Sequence, residues 1–303
     1  MLPSAPLFAG VELGGTKCVC IVGSGPGDIR QMRSVETGLH PQATLRQIEQ
    51  TLDDMIAAEG SVEALGIASF GPVDLDPDSQ RFGFITSTPK PGWRDTNVAA
   101  RLRDRFGLPM AFDTDVNAAA LAEGLWGAAQ GLDDFAYVTV GTGIGVGIVA
   151  GGKTIKGFAH PEAGHIRVAR SPGDTWPGNC PFHGACVEGL ASGPAIEARA
   201  GRPAAQIPAD DPVWDLVAHT LGQLCAMLTL TLAPKRILFG GGVLNGQAHL
   251  YGLIQKHFED SLGGYLDHPQ IIGVGAQYIR PAGLAELAGP LGALALAQGT
   301  VRS

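Results

Sequence analysis

The chain has 303 residues, which at about 150 residues per domain corresponds to roughly two domains with a core that needs no disulfide or metal for bulk stability. Hydrophobic residues make up 45% of the chain and charged residues 17%, which excludes a disordered chain. The net charge of −8 argues against a nucleic-acid-binding surface, because such a surface needs clustered lysine and arginine. Nucleic acid is therefore not expected among the partners.

The sequence also lacks the signals of export. The N-terminal stretch MLPSAPLFAG has neither the positive region nor the unbroken apolar region of a signal peptide. The longest weakly polar run, residues 135–150, is too short and too rich in glycine for a membrane span, which needs about 18 or more apolar residues. The five cysteines are an odd number, and a disulfide framework is not expected. We therefore expect a cytoplasmic protein with no membrane partner.

Hydrophobic periodicity predicts strands alternating with helices along the chain. The predicted strands are a hairpin over 7–24 that turns at the Gly14-Gly15 pair, then 64–70, 109–113, 135–149 with a hairpin turn at the Gly151-Gly152 pair, and 236–239. The predicted helices are 43–58, 98–106, 117–126, 213–232 and a small-residue helix over 284–298 that packs back on the first half. Residues 160–186 have no period and are predicted to form a loop. This order predicts an α/β fold with two lobes.

Residues 147–154 match the P-loop expression G-x-x-x-x-G-K-[ST]. A P-loop opens a helix whose N-terminal amides hold phosphate. Here Gly157 and Pro161 follow, without any helical period. We therefore interpret this match as a hairpin turn.

Two other glycine-rich segments are better candidates for phosphate binding. In ELGGTK, the turn at 14–17 exposes backbone N–H groups and adds a hydroxyl and a cation, although a solvated hairpin turn has nearly the same pattern. In GTGIGVG, residues 141–147, glycine at every second position clears one face of a strand. Val146 stands where a dinucleotide-binding G-x-G-x-x-G pattern needs its third glycine. A turn that holds phosphate is thus favoured over a Rossmann site.

A metal site is predicted in the loop. Cys180, His183 and Cys186 follow the spacing C-x2-H-x2-C and, with His165, offer two thiolates and two imidazoles, the ligand set of a closed zinc site. His160 competes as the fourth ligand, and a chance cluster of buried cysteines is the alternative. A zinc ion would pin this irregular loop.

Nine segments in order resemble the ROK family over nearly the whole chain, most closely its bacterial fructokinases. They are ELGGTK, SFGPVD, TSTPKPGW, DTDVNAAALAEG, GTGIGVG, HPEAGH, CPFHGAC, EGLASGPAIEAR and ILFGGGV. The resemblance implies a two-lobed, actin-like (ribonuclease H-like) sugar kinase fold with ATP and sugar in an interdomain cleft. The expected lobes are 1–117, completed by a helix over 285–303, and 118–284 with the zinc loop. The expected activity is Mg²⁺- and ATP-dependent phosphorylation of fructose to fructose 6-phosphate, with a homodimer as the assembly.

The resemblance also assigns roles. The catalytic aspartate falls on Asp115, which could accept the proton of the attacking sugar hydroxyl; the alternative is that Asp115 caps the following helix. The implied sugar-binding residues are Ser69, Gly71, Pro72, Glu162, His165 and Glu188. The implied phosphate-binding residues are Gly14, Gly15, Thr16, Lys17, Thr142 and Gly143. Gly241 and Gly242 are placed beside the nucleoside, and His165 is preferred over His160 as the fourth zinc ligand because it matches the family's histidine.

Two residues depart from the family's commonest pattern. Glu12 stands where many members carry Asp, and Thr114 stands where many of the glucokinases carry Asn, which offers a sugar both a donor and an acceptor. Fructose is therefore expected as the substrate rather than glucose, with a broader manno- or glucokinase as the alternative. A non-catalytic sugar sensor of the same family is the contrasting reading. Such repressors carry an N-terminal helix-turn-helix, whereas this sequence opens on its first strand and retains GGTK and Asp115.

Overall fold

The computed structural model describes residues 5–273 and 277–302; the first residues of the N-terminal stretch and the last residue of the predicted C-terminal helix lie outside this part. The strands in chain order are β1 Phe8–Leu13, β2 Lys17–Gly25, β3 Asp28–Glu36, β4 Leu65–Ser69, β5 Phe84–Ile85, β6 Thr96–Asn97, β7 Met110–Thr114, β8 Phe135–Val140, β9 Ile144–Ala150, β10 Lys153–Thr154, β11 Ile237–Gly240 and β12 Ile279–Pro281. The α-helices are α1 Pro41–Glu59, α2 Ala99–Phe106, α3 Asp115–Trp126, α4 Val187–Ala191, α5 Gly193–Ala200, α6 Val213–Leu232, α7 Leu250–Leu262 and α8 Ala288–Arg302.

Most of the predicted elements are confirmed. The predicted strand over 135–149 is two strands, β8 and β9, because the chain turns at Gly141–Gly143. The elements additional to the prediction are the strands β3, β5, β6 and β12 and the helices α4, α5 and α7. The P-loop match ends in β10, and no helix follows it in the described segment 155–162, which confirms the hairpin interpretation.

The chain forms two compact units. Unit 1 takes the chain up to Gln130, then Thr154–Pro161 and the chain from Leu287, and unit 2 takes Gly131–Lys153 and Glu162–Glu286. The division after Gln130 differs from the boundary predicted at 117/118, which falls inside α3. The reason is that α3 packs along α8 and so stays in unit 1.

Unit 1 is built on a five-stranded sheet of order β3-β2-β1-β4-β7. β1 pairs antiparallel with β2 and parallel with β4, and β4 pairs parallel with β7. α1 covers one face through the buried side chains of Leu45, Ile48, Leu52 and Met55, which recur at helical spacing. The parallel pairing brings the carboxyl ends of β1, β4 and β7 to the same edge of the sheet.

Unit 2 is built on a second sheet, of order β10-β9-β8-β11-β12. β8, β11 and β12 run parallel, whereas β9 returns antiparallel to β8. α6 is the longest helix of this unit, and in the described part of the chain it alone is long and apolar enough to cross a membrane. Two thirds of its apolar window is buried, as in the core helix of a globular protein. The segment between β10 and α4 holds one 3-10 turn, Ala163–His165, which agrees with the predicted loop.

α8 packs on the sheet of unit 1 at unusually short range. A Cβ added at Gly66 of β4 would overlap the carbonyl oxygen of Ala293, and one at Gly10 of β1 would lie 2.8 Å from the Ala293 Cβ. On its other side α8 meets α3, where a Cβ at Gly292 would lie 2.5 Å from the Ala118 carbonyl carbon. The C-terminal helix therefore packs back on the first half of the chain, as predicted.

Replacing Gly66 by Ala should therefore destabilise unit 1. The added methyl group meets backbone rather than a flexible side chain, so the free energy of unfolding should fall by about 1–3 kcal/mol or more. Urea unfolding followed by circular dichroism measures the change.

Gly299→Ala is the matched control, because Gly299 lies in the same helix with open space around it. This change should stabilise the helix by about 0.5–1 kcal/mol. Equal unfolding midpoints for Gly66→Ala and the wild type would contradict the close packing of α8.

Candidate active site and metal centre

Three predicted segments of unit 1 meet at one edge of its sheet. The turn at 14–17 follows β1, the SFGPVD segment follows β4, and Asp115 follows β7. Because these three strands are parallel neighbours, their carboxyl ends lie side by side. Ligands of open α/β sheets bind at such carboxyl ends.

The turn at 14–17 presents its side chains to solvent. Gly15, Thr16 and Lys17 are exposed, and the turn closes through a hydrogen bond from the Gly14 N–H to the Lys17 carbonyl at 3.0 Å. Thr37 supports the turn from behind, because its hydroxyl donates to the Gly14 carbonyl at 2.8 Å and its N–H donates to the Thr16 carbonyl at 3.0 Å. Gly14, Gly15, Thr16 and Lys17, four of the six residues predicted to hold phosphate, thus lie in one turn that Thr37 stabilises.

Asp115 opens α3 but does not cap it. The N-cap is Thr114, whose hydroxyl accepts a hydrogen bond from the Asn117 N–H at 3.1 Å, so the alternative in which Asp115 is the cap is wrong. The Asp115 carboxylate accepts from the Val116 N–H at 2.9 Å. Burial raises the pKa of Asp115 to about 7, and the backbone hydrogen bonds oppose this rise.

Glu12 is a second carboxylate of this edge. Burial and then the negative charge of Asp115 raise the pKa of Glu12 to about 7, against a lowering by Lys17. The carboxylate lies against the first turn of α8, since a Cβ at Gly289 would overlap it. Two acidic groups with pKa values near neutrality in one place are typical of a functional site.

The end of β4 and the segment after it contain the predicted sugar contacts Ser69, Gly71 and Pro72. Ser69 is fully buried and its hydroxyl donates to the Phe70 carbonyl at 2.9 Å. The Pro72 carbonyl accepts from both the N–H and the hydroxyl of Thr86, at 2.7 and 3.1 Å. The segment is therefore fixed by the beginning of TSTPKPGW.

Sequence analysis gave no role to Asp113, which is buried two residues before Asp115. Its carboxylate accepts from the Thr114 N–H and the Asn117 side-chain amide, both at 2.8 Å, and from the Thr154 hydroxyl at 3.1 Å. Asp113 thus fixes the first turn of α3. A buried, fully bonded carboxylate carries no periodic signal, and only its place in DTDVN could have indicated it.

In unit 2 the two predicted glycine clusters are also neighbours. Gly141–Gly143 follows β8 and Gly241–Gly242 follows β11, which are parallel strands. The Val243 N–H donates to the Val140 carbonyl at 3.0 Å, and the Gly193 N–H at the start of α5 donates to the Gly141 carbonyl at 2.8 Å. Thr142 and Gly242 are exposed at this edge.

Glu188 links the turn at 141–143 to the loop over 160–186. Its Oε2 accepts from the Ile144 N–H at 3.0 Å, and its Oε1 lies 3.9 Å from the Nε2 of His165. Gly164 packs directly on the Ile144 carbonyl, where a Cβ would overlap the oxygen. The predicted sugar residues His165 and Glu188 are thus brought together.

The four predicted metal ligands form one cluster. The potential ligand atoms of His165, Cys180, His183 and Cys186 all lie within 4.8 Å of one another. The Nδ1 of His165 is 3.7 Å from both sulfurs, and the Nδ1 of His183 is 3.7 Å from the Cys180 sulfur. Ligand atoms at about 2.0–2.3 Å from a zinc ion in a tetrahedron lie about 3.3–3.8 Å apart, so the three separations of 3.7 Å match those of a zinc site.

Two other polar residues of HPEAGH, His160 and Glu162, are not part of this cluster. His160 belongs to unit 1, where its Nε2 accepts from the Val73 N–H at 3.0 Å. Glu162 is exposed, and its carbonyl accepts from the His165 N–H at 2.9 Å. The histidine in the cluster is therefore His165 and not His160.

Comparisons with known proteins agree with this architecture. The model of the ROK family matches residues 8–300. The chain is 43% identical to a putative fructokinase of Bacillus subtilis over 96% of this chain and 95% of the relative. It is 39% identical to a fructokinase of Pediococcus pentosaceus over 98% of this chain and 99% of the relative.

A solved structure shows the same fold. A glucokinase from Streptomyces griseus in complex with glucose and AMPPNP, described as a ROK family protein, superposes with a TM-score of 0.74 and 28% identity over 97% of this chain and 99% of that one. The similarity confirms the predicted fold class, the actin-like α/β fold of sugar kinases.

Proposed function

Because this chain belongs to the ROK family, we propose that it transfers the γ-phosphoryl group of ATP to fructose and makes fructose 6-phosphate. The observation that carries the proposal is the identity of 39–43% with two fructokinases, one of them putative, over nearly the full length of each protein. The edge of unit 1 supports a phosphoryl-transfer site, because the turn at 14–17 follows β1 and Asp115 follows β7 at the same end of the sheet, with β4 between the two strands.

Asp115 is the general base of the proposed reaction. Its ionised carboxylate would accept the proton of the attacking fructose hydroxyl while that oxygen attacks the γ-phosphorus of ATP. With a pKa of about 7, Asp115 is partly ionised at neutral pH, and its carboxylate is more basic than that of an ordinary aspartate. It can therefore accept the hydroxyl proton more readily. Asp113 and Thr114 fix the helix turn that presents it.

Glu12 also fits a magnesium ion carried by the nucleotide. Mg²⁺ binds oxygen ligands, commonly one or two carboxylates together with substrate phosphates. Burial and the charge of Asp115 raise the pKa of Glu12, so a cation nearby would stabilise its ionised form. When bound, the ion neutralises charge that develops on the phosphates.

The other residues take supporting roles. In unit 1, the turn at 14–17 would donate backbone N–H groups to phosphate, and Ser69, Gly71 and Pro72 would contact fructose. In unit 2, the turn at 141–143 would donate backbone N–H groups to phosphate, Gly241 and Gly242 would border the nucleoside, and Glu162, His165 and Glu188 would contact fructose. Zinc held by His165, Cys180, His183 and Cys186 keeps the loop in place and fixes the His165 ring beside Glu188.

The alternative is a kinase of wider range that also accepts mannose or glucose. The single hydroxyl of Thr114 already accepts the Asn117 N–H, whereas the side chain of an asparagine would offer a sugar a donor and an acceptor on two separate atoms. This difference favours fructose. The homodimer and the cytoplasmic location stay predictions.

Asp115→Ala should lower kcat by at least about 10²-fold, the lower range for a positioned base, while the protein stays folded and binds ATP. In the wild type, kcat/KM for fructose should rise with pH through about 7, because Asp115 accepts a proton only when ionised. A coupled assay of ADP release from pH 5.5 to 9 measures both effects. Asp104→Asn, an exposed change in the same unit, is the control. Near-wild-type turnover by Asp115→Ala would remove Asp115 from the role of base.

Fructose should be preferred over glucose by at least about 10-fold in kcat/KM, which corresponds to about 1.4 kcal/mol. The physical reason is that the wrong sugar leaves a buried polar partner unpaired, at a cost of about 1–3 kcal/mol. Competition kinetics with both sugars present, with the two sugar phosphates separated and quantified, measures the ratio. Equal or greater flux through glucose would reject the fructokinase proposal and leave a hexose kinase.

Freshly purified protein should contain one zinc per chain by elemental analysis. Chelation at mildly acid pH should extract it, because protons compete for the thiolates, and should lower the thermal midpoint. Cys186→Ser should lose the metal, and Cys225→Ala, which changes a buried cysteine of α6 outside the cluster, should keep it. Protein that contains no metal before chelation would refute the site.

A further inference from the structure

Beyond Thr86, the segment TSTPKPGW, residues 86–93, has no role in the function proposed above. Its C-terminal part nevertheless packs tightly against neighbouring residues of unit 1. Trp93 is fully buried, its indole N–H donates to the Gly38 carbonyl at 2.8 Å, and its ring meets that of Phe70 edge-on at 5.3 Å. Gly92 has a φ of +81° and passes so close to Leu39 that a Cβ would overlap the Leu39 carbonyl oxygen. The backbone around Lys90 is therefore fixed by its neighbours.

From this position the Lys90 side chain reaches the turn at 14–17. Its Nζ lies 2.6 Å from the carbonyl oxygen of Gly15 and 3.1 Å from that of Thr37. Thr37 in turn donates to the carbonyls of Gly14 and Thr16. One ammonium group and one threonine thus hold the carbonyls on one side of the turn.

Holding the Gly15 carbonyl also sets the direction of an N–H group. The peptide bond is planar and trans, so the N–H of Thr16 points opposite to the carbonyl of Gly15. The hydrogen bond from Lys90 therefore turns the Thr16 N–H away from Lys90. Without it, the exposed glycine pair could rotate this peptide plane at little cost, since glycine restricts its backbone least.

We propose that Lys90 is a positioning residue for the turn at 14–17: it fixes the Gly15–Thr16 peptide plane so that the Thr16 N–H is directed toward a phosphate group of the nucleotide. The ligand class is a nucleoside triphosphate with its magnesium ion. This proposal rests on the proposed function for the identity of the ligand. Lys90 itself contacts protein carbonyls, and its positive charge adds to that of Lys17 beside an anionic ligand.

The test is the dissociation constant for Mg-AMPPNP without sugar, measured by calorimetry. Lys90→Met keeps the length of the side chain and removes the ammonium group, and it should raise the dissociation constant at least about tenfold. Lys90→Arg keeps donors and charge and should recover most of this loss. Arg94→Met is the matched control, because it removes the same charge from an exposed site four residues away and should leave the constant unchanged.

Two further readouts separate positioning from general stability. The KM for fructose should not change in Lys90→Met, and the protection of the Thr16 N–H from hydrogen exchange that Mg-AMPPNP confers should be smaller than in the wild type. Lys90→Ala, which removes the donor together with the charge, serves as the second variant if Lys90→Met does not fold, and it should weaken nucleotide binding in the same direction.

The proposal is overturned if Lys90→Met or Lys90→Ala binds Mg-AMPPNP as tightly as the wild type. It is also overturned if Arg94→Met weakens binding equally, which would indicate a diffuse charge effect, or if only the KM for fructose rises. A wild-type protein that binds Mg-AMPPNP but does not phosphorylate fructose would refute the proposed function and leave this one standing.

Discussion

The close approach of α8 to the sheet of unit 1 is the contact on which the candidate site depends. It requires Gly66 to carry no side chain, and α8 then meets α3 at Gly292. The first turn of α8 lies against the carboxylate of Glu12, and α3 begins at Asp115. One packing arrangement therefore fixes the position of both carboxylates, and their burial raises the pKa of each to about 7.

In unit 2 the positions of the candidate site residues depend on a cluster of potential metal ligands rather than on helix packing. The segment between β10 and α4 has almost no regular structure and so gains little from helix or sheet hydrogen bonds. Four ligand residues gathered within 4.8 Å can replace that missing support when a metal binds. Glu188 then connects His165 to the Ile144 N–H at the glycine turn. The stability of the loop and the geometry of the turn are thereby coupled.

Some features that sequence analysis did not predict leave a clear signal in the sequence, and others do not. β3 carries mostly polar residues and only Val35 is buried, because an edge strand needs little apolar surface. α7 carried a readable signal, because its buried residues recur every four positions: Leu250, Ile254, Phe258 and Leu262. The turn that divides β8 from β9 was hidden because GTGIGVG continues the apolar alternation of the flanking strands.

Sequence alone determined the order of most strands and helices, the order of the family's motifs and the candidate metal ligands Cys180, His183 and Cys186, because periodicity and short spacing are local properties. Only the tertiary structure decided that His165 rather than His160 lies with these three residues, that Thr114 rather than Asp115 caps α3, and that Lys90 reaches the turn at 14–17. Lys90 and Gly15 are 75 residues apart, and nothing in the intervening sequence encodes their contact directly. It arises because a buried Trp93 fixes one segment and parallel strands place the other beside it.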